Sequence, residues 1–357
     1  MREGHRCNAL KKDPHPALRA TFSRKGGRRG FRRNASDPEM KRAFTPGADG
    51  LRKWLPLATL AALVIVVGVA QPSFLQPASL LDLFSDTAVL FTLATGVTFV
   101  IMLGGIDLSI QSMASLASVI VALTVARLGY GSFLLAIAIG AVAGLLSGIV
   151  HVRLKIPSFI ATLAMGGVLF SAALVISKER SITLDDAGRA YQNWITGHVL
   201  GAPNVIVVGL IVLAVAHMLQ AHTRFGRYSA AIGAGEPAAY ASGVKVSRQK
   251  IFAFVLSAAF AALAGVILAG RLASGSPTLA AELLLPSIAA VVVGGTAITG
   301  GVGSIWRTLV GALIISVVRI GMTFLGVNIF AQNIVFGAVL IGAVAITIDR
   351  SKVPIVK

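Results

Sequence analysis

Cysteine, charge and aromatic side chains are all scarce in this chain. Cys7 is the single cysteine among 357 residues, so no disulfide framework can form within the chain, and no Cys/His cluster has the spacing of a metal site. Neither a metal nor another cofactor is therefore expected. The six histidines, at 5, 15, 151, 198, 217 and 222, are scattered and read as loop or interfacial residues. Catalytic signatures are missing too. No G-x-x-x-x-G-K-[ST], G-x-S-x-G or H-E-x-x-H occurs, so the chain has no P-loop for ATP and no familiar hydrolase site. Any step driven by ATP would need a separate polypeptide. Only 13% of residues are charged, and the apolar runs hold no Asp/Glu/His series of the kind that relays protons, which weighs against an ion-coupled carrier.

What is abundant is apolar side chain, 55% of the residues, with a mean hydropathy of +0.82. Runs such as Trp54–Ala70, Leu134–Val150 and Asn204–Leu219 approach the roughly 20 residues needed to cross hydrocarbon. They lack period-2 alternation, so they are helices. The expected fold is an all-α polytopic membrane protein with about ten crossings, near 54–70, 87–104, 108–127, 132–150, 157–177, 203–220, 251–270, 284–301, 307–325 and 331–348. Residues 54–350 then form the membrane domain, with tails at 1–53 and 351–357.

The first tail carries 15 Lys/Arg against 5 Asp/Glu. It lacks interleaved aromatics, so a solvated cytoplasmic extension fits better than a nucleic-acid arm. From Met40 the sequence "MKRAFTPGADGLRKWLP" also reads as an ordinary basic lead into a first helix. Outside the tail, an N-in, C-in arrangement places 11 Lys/Arg inside and 6 outside, as the positive-inside rule favours. The largest inner segment, about 221–250, reads as one or two short surface helices beginning near Glu236-Pro237. The largest outer one, about 178–202, contains Trp194 as a candidate interfacial residue.

Two features interrupt the apolar pattern. Small residues recur four apart at Gly140, Gly144 and Gly148 and at Ala261, Gly265 and Ala269, a spacing that lets helices pack closely in lipid. A pseudo-repeat sets "VTFVIMLGGIDLSIQ" beside "SIAAVVVGGTAITGG", with Gly104-Gly105 and Gly294-Gly295 as helix breaks 190 residues apart. Paired interruptions of this sort point to a transport pathway. Asp107 is costly in hydrocarbon; it either caps the helix after the break or lines the pathway, together with Ser109, Gln111, Thr296 and Thr299.

Taken together, "GVTFVIMLGGIDLSIQS" at 96–112, "KIPSFIATLAMGGVLFS" at 155–171, "FGRYSAAIGAGEPAAYASGVKVSRQK" at 225–250 and "LLPSIAAVVVGGTAITGGVGSIWRTLVGALI" at 284–314 resemble the permease subunits of bacterial ATP-binding-cassette importers for monosaccharides. The resemblance covers nearly all of 54–350. It implies a transport subunit rather than an enzyme, in the bacterial inner membrane, working with separate ATPase chains, an external sugar-binding protein and a second permease copy. Lipid is its surroundings and nucleic acid is no partner. On the family's cytoplasmic coupling motif fall Gly226, Gly233, Glu236, Ala238, Ala239 and Gly243. The sequence departs from the family at Gly235, Ala297, Trp306-Arg307 and Arg319; Arg319 reads as a snorkelling interfacial residue or as a group suited to an acidic solute. Alternatives to a sugar permease are a branched-chain amino-acid permease, an ion-coupled carrier and a membrane-embedded enzyme.

Overall fold

The computed structural model describes residues 46–347; Met40, most of the basic tail and the segment 351–357 lie outside the described residues. Helix α1 runs Pro46–Ala70, so residues 46–53, read above as tail, are helical. The starting proline explains this, since a fixed φ and a missing N–H suit the first turn. The chain divides into two units between Gly50 and Leu51, and the second holds the helical bundle.

After a 3-10 turn at Pro72–Leu75 come α2 (Pro77–Met102), α3 (Ile110–Leu128), α4 (Gly131–Arg153) and α5 (Ser158–Ser177). The connection after α5 folds into β1 (Ile182–Thr183), α6 (Asp186–Ala190), α7 (Asn193–Thr196) and the hairpin β2 (His198–Val199) with β3 (Ala202–Pro203). Next are α8 (Asn204–His222), α9 (Arg224–Ala234), α10 (Glu236–Ala241) and α11 (Val246–Leu272). Strand β4 (Ser274–Gly275) pairs antiparallel with β1, and α12 (Leu284–Val293), α13 (Ile305–Phe324) and α14 (Ile329–Thr347) complete the described chain. This is an all-α polytopic membrane fold. Seven of the described helices are long and apolar enough to cross a membrane, joined by shorter apolar stretches at Pro56–Ala70, Ala281–Val293 and Ala331–Gly342.

The span expected at 284–301 is the main correction. Helix α12 stops at Val293, because the backbone turns left-handed at Gly295, and 294–304 is not helical. Ahead of that span, residues 273–280 are not helical either. Between α11 and α12 the chain runs down the side of α3, where the Ala280 N–H donates to Ser115 Oγ at 3.0 Å and the Ser276 N–H to Ser118 Oγ at 3.2 Å. Hydroxyls on α3 thus satisfy backbone groups that hydrocarbon would leave unpaired.

Burial separates inner from outer helices. In α2, 89% of the most apolar stretch is buried, against 28% in α5 and α8. The small-residue stripes account for the packing. A Cβ at Gly140 would lie 2.8 Å from the Ala258 carbonyl, and one at Gly148 would lie 2.8 Å from the Ile251 Cα. The α4 stripe therefore seats against α11. Further along α11, Gly265 lies against the Ala114 backbone of α3. Trp194, expected at the interface, is half-buried, its ring 5.4 Å from that of Phe133.

Candidate functional site: two helix breaks and a short helix

The first break follows from glycine at the end of α2. Gly104 takes φ +76°, its N–H donates to the Ile101 carbonyl at 2.8 Å, and the Gly105 N–H donates to the Val100 carbonyl at 3.1 Å. This crossed pair is a Schellman stop, which closes the last orphan carbonyls of a helix. The backbone then crosses to α3 without helical bonds, and side chains replace them. The Ile106 N–H donates to Ser158 Oγ and the Leu108 N–H to Thr162 Oγ1, both at 3.0 Å. Asp107, 1% exposed, accepts on Oδ1 from the Ser109 N–H at 2.9 Å and from the Ser109 hydroxyl at 2.6 Å. The carboxylate thus folds the turn just ahead of α3, and the Ser109 side chain makes no cap of its own.

The second break repeats the device. Gly295 takes φ +89°, its N–H donates to the Val292 carbonyl at 2.8 Å, and the Thr296 N–H donates to the Val291 carbonyl at 3.1 Å. Equivalent positions are therefore Gly104 and Gly295, 191 residues apart, one more than the sequence alignment gave. Gln220, near the end of α8, holds the far side of this break. Its Nε2 donates to the Gly303 carbonyl and its Oε1 accepts from the Ile305 N–H, each at 2.9 Å. Toward the break this primary amide presents a donor and an acceptor in one plane, as a peptide does, and its second N–H points to Met102 Sδ at 3.3 Å. It continues the interrupted backbone ladder into α13.

The two breaks touch. The Gly301 N–H donates to the Met102 carbonyl at 2.9 Å, and the Thr299 carbonyl lies 3.4 Å from where a Cβ on Gly104 would sit. Gly233 of α9 covers this contact. A Cβ there would overlap both the Met102 carbonyl and the Gly301 amide. The segment expected as one or two short helices is two, α9 and α10. Gly226 fits tightly over the Gln220 carbonyl, and Gln249 of α11 donates to the Phe225 carbonyl at 2.7 Å. Glu236 starts α10 and pairs with Lys250 of α11 at 2.7 Å. Ala239 is buried, Ala238 is exposed, and Gly243 turns the chain at φ +82° toward α11.

The expected pathway residues do not share one lining. Asp107, Ser109 and Thr296 are buried, Thr299 is exposed on the second break, and Gln111 lines a separate cavity beside α3. Arg319 turns out to be partnered. It donates to Asp86 at 2.6 Å, and Arg271 donates to the other oxygen of the same carboxylate at 2.6 Å. Sequence reasoning missed Ser158, Thr162, Gln220 and Asp86. The first two had a usable signal, hydroxyls at i and i+4 opening an apolar helix.

The family model described as the branched-chain amino acid transport system permease component matches residues 79–344. The chain belongs to this permease family. The permease is 38% identical over 318 residues to the ribose import permease protein of Bacillus subtilis strain 168, covering 88% of this chain and 97% of that one. It is 35% identical to the ribose import permease protein of Escherichia coli K12, over 83% and 93% of the two chains. The fructose import permease protein of Rhizobium meliloti is 32% identical over 82% and 84%. No solved structure matches the permease. As a permease subunit it is a transport component rather than an enzyme.

Proposed function

We propose that this chain forms the membrane pathway of an ATP-binding-cassette importer and passes a monosaccharide delivered by an external sugar-binding protein. Its relatives named for ribose and fructose import favour a sugar over a branched-chain amino acid. The observation that carries the mechanism is the junction of Met102, Gly301 and Gly233. The short helix α9 meets both helix breaks there backbone to backbone, and its Phe225 ring lies 5.3 Å from that of Phe99 near the end of α2. A push on α9 and α10 reaches the ends of α2 and α12 with little slack, because packed backbones shift between discrete arrangements rather than deform.

In this reading α9 and α10 face the cytoplasm, where they receive the partner ATPases, and both termini lie inside. The exposed edge of α10, with Ala238 and Tyr240, meets the ATPase. Two permease copies enclose the pathway. Asp107, Ser109, Thr296 and Thr299 shape its walls at the breaks, and Gln111 faces its open volume. Weak hydroxyl and amide contacts suit passage, since a tight site would slow release.

Reconstitution of the permease in vesicles with its partner ATPase and sugar-binding protein tests this. Labelled D-ribose or D-fructose should enter only when ATP is present on the ATPase side. Entry of L-leucine in place of sugars would move the reading to the amino-acid branch, and sugar entry without the ATPase would overturn it.

A further inference from the structure

Between α3, α5 and the descending segment 276–281 lies a cavity of about 370 Å³, within the range of small-ligand sites. Two glycines of α5 create it. A Cβ on Gly167 would meet nothing within 4 Å, and Gly166 faces the Ser112 hydroxyl. Both fall in the middle of a 20-residue helix, so the cavity sits at mid-depth of the bundle.

Its lining is mainly apolar with a few polar groups. The Gln111 amide and the Ser112 hydroxyl open into it, and neither has a hydrogen-bond partner among the described residues. Ser112 is only 7% exposed, so its free hydroxyl is aimed inward. Thr278 adds a third polar group from the opposite wall, and Phe170, one turn after Gly167, presents its ring. A monosaccharide offers a rim of hydroxyls and an apolar C–H face, which an aromatic ring and a few free amide or hydroxyl groups can take up in place of water. The mouth opens on the flank of the bundle, beside Leu163 at 63% exposure. Facing lipid, it would strand the Gln111 amide in hydrocarbon.

Building on the importer reading, we propose that this cavity is the station where the monosaccharide passes through the bundle, its mouth facing the second permease copy. Gln111 and Ser112 exchange hydrogen bonds with sugar hydroxyls, and Phe170 stacks against the ring.

The test uses the reconstituted complex with D-ribose and D-fructose. Gly167→Leu fills the cavity without a backbone clash and removes a helix-weakening glycine. It should still assemble with the ATPase while uptake falls by about tenfold or more. Gln111→Leu should slow uptake by roughly five- to tenfold, the worth of one hydrogen bond, and change the ratio of the two sugars. In a Cys7→Ser background, Ser112→Cys should react with a membrane-impermeant thiol reagent, and the lipid-facing Val142→Cys, at a site 55% exposed, should not. If the wild-type complex moves neither sugar under ATP, the importer reading itself fails. If it does, and Gly167→Leu transports at the wild-type rate or Ser112→Cys is as inert as Val142→Cys, the station is refuted and the importer stands. Should Gly167→Leu fail to assemble, the labelling alone decides.

Discussion

At Gly233 the absence of a side chain is a requirement of three backbones at once, because a Cβ would overlap the Met102 carbonyl and the Gly301 amide that bond to each other. Gly233→Ala must therefore push α9 away or break that bond, an overpacking that costs about 1–3 kcal/mol. A lower thermal midpoint of the purified permease, with ATP-driven uptake lost by a larger factor than stability explains, is the expected pair of results. Asp107 separates its two roles in a similar way. Asp107→Asn keeps an oxygen to accept from the Ser109 N–H, so uptake within about threefold of wild type and an unchanged midpoint are expected if the carboxylate only shapes the turn. Asp107→Ala leaves the buried Ser109 donors unpaired, a loss of about 1–3 kcal/mol. Uptake abolished in Asp107→Asn at an unchanged midpoint would instead show that the charge acts on the solute.

The elements around the breaks show what a sequence can and cannot disclose. Both breaks were visible in it, since the Gly-Gly there ends an apolar run and opens a polar stretch, whereas Gly166-Gly167 is followed by more apolar residues and stays within α5. Their register was not. Apolar alignment pairs Gly104 with Gly294, but the left-handed residue is Gly295, and only the crossed hydrogen bonds reveal which glycine turns the chain. The partners of the breaks were hidden for a different reason. Ser158, Thr162 and Gln220 bond to main-chain groups, and a main-chain group carries no residue identity for a pattern to match. The same blindness covered the cavity, which α5 leaves open by having Gly166 and Gly167 where a larger residue would close it. Gln220→Leu isolates this hidden layer. It keeps the size and apolar fit of α8 but strands the Gly303 carbonyl and the Ile305 N–H. A loss of about 1–3 kcal/mol for each group, read as a lowered thermal midpoint, is expected, with uptake impaired even where the protein still assembles.

Across the whole bundle, α2, α11 and α13 are tied at both ends. At one end Met102, Gln249 and Ile305 gather around the breaks, α8 and α9; at the other, Asp86 of α2 accepts from Arg271 of α11 and Arg319 of α13. Asp86 precedes Met102 by 16 residues, so the ties stand about 24 Å apart along α2. Three helices fixed at both ends tilt together more readily than they separate, a rigid-body motion of the kind the proposed importer would use. The Asp86 cluster also changes the meaning of Arg319, whose guanidinium is spent on a structural carboxylate it shares. Asp86→Asn leaves two guanidinium groups facing each other without a counter-charge. All three side chains are about a quarter exposed, so water softens the loss well below the cost of breaking a buried pair. Sites this far apart add in stability within about 0.3–0.5 kcal/mol, so the double variant Asp86→Asn, Gln220→Leu should show the sum of the two midpoint shifts. Transport should not add. If the three helices tilt as one body, loosening either end already uncouples it, and the second substitution should lower ATP-driven uptake little further. Multiplicative losses in uptake would mean instead that the two ends move independently.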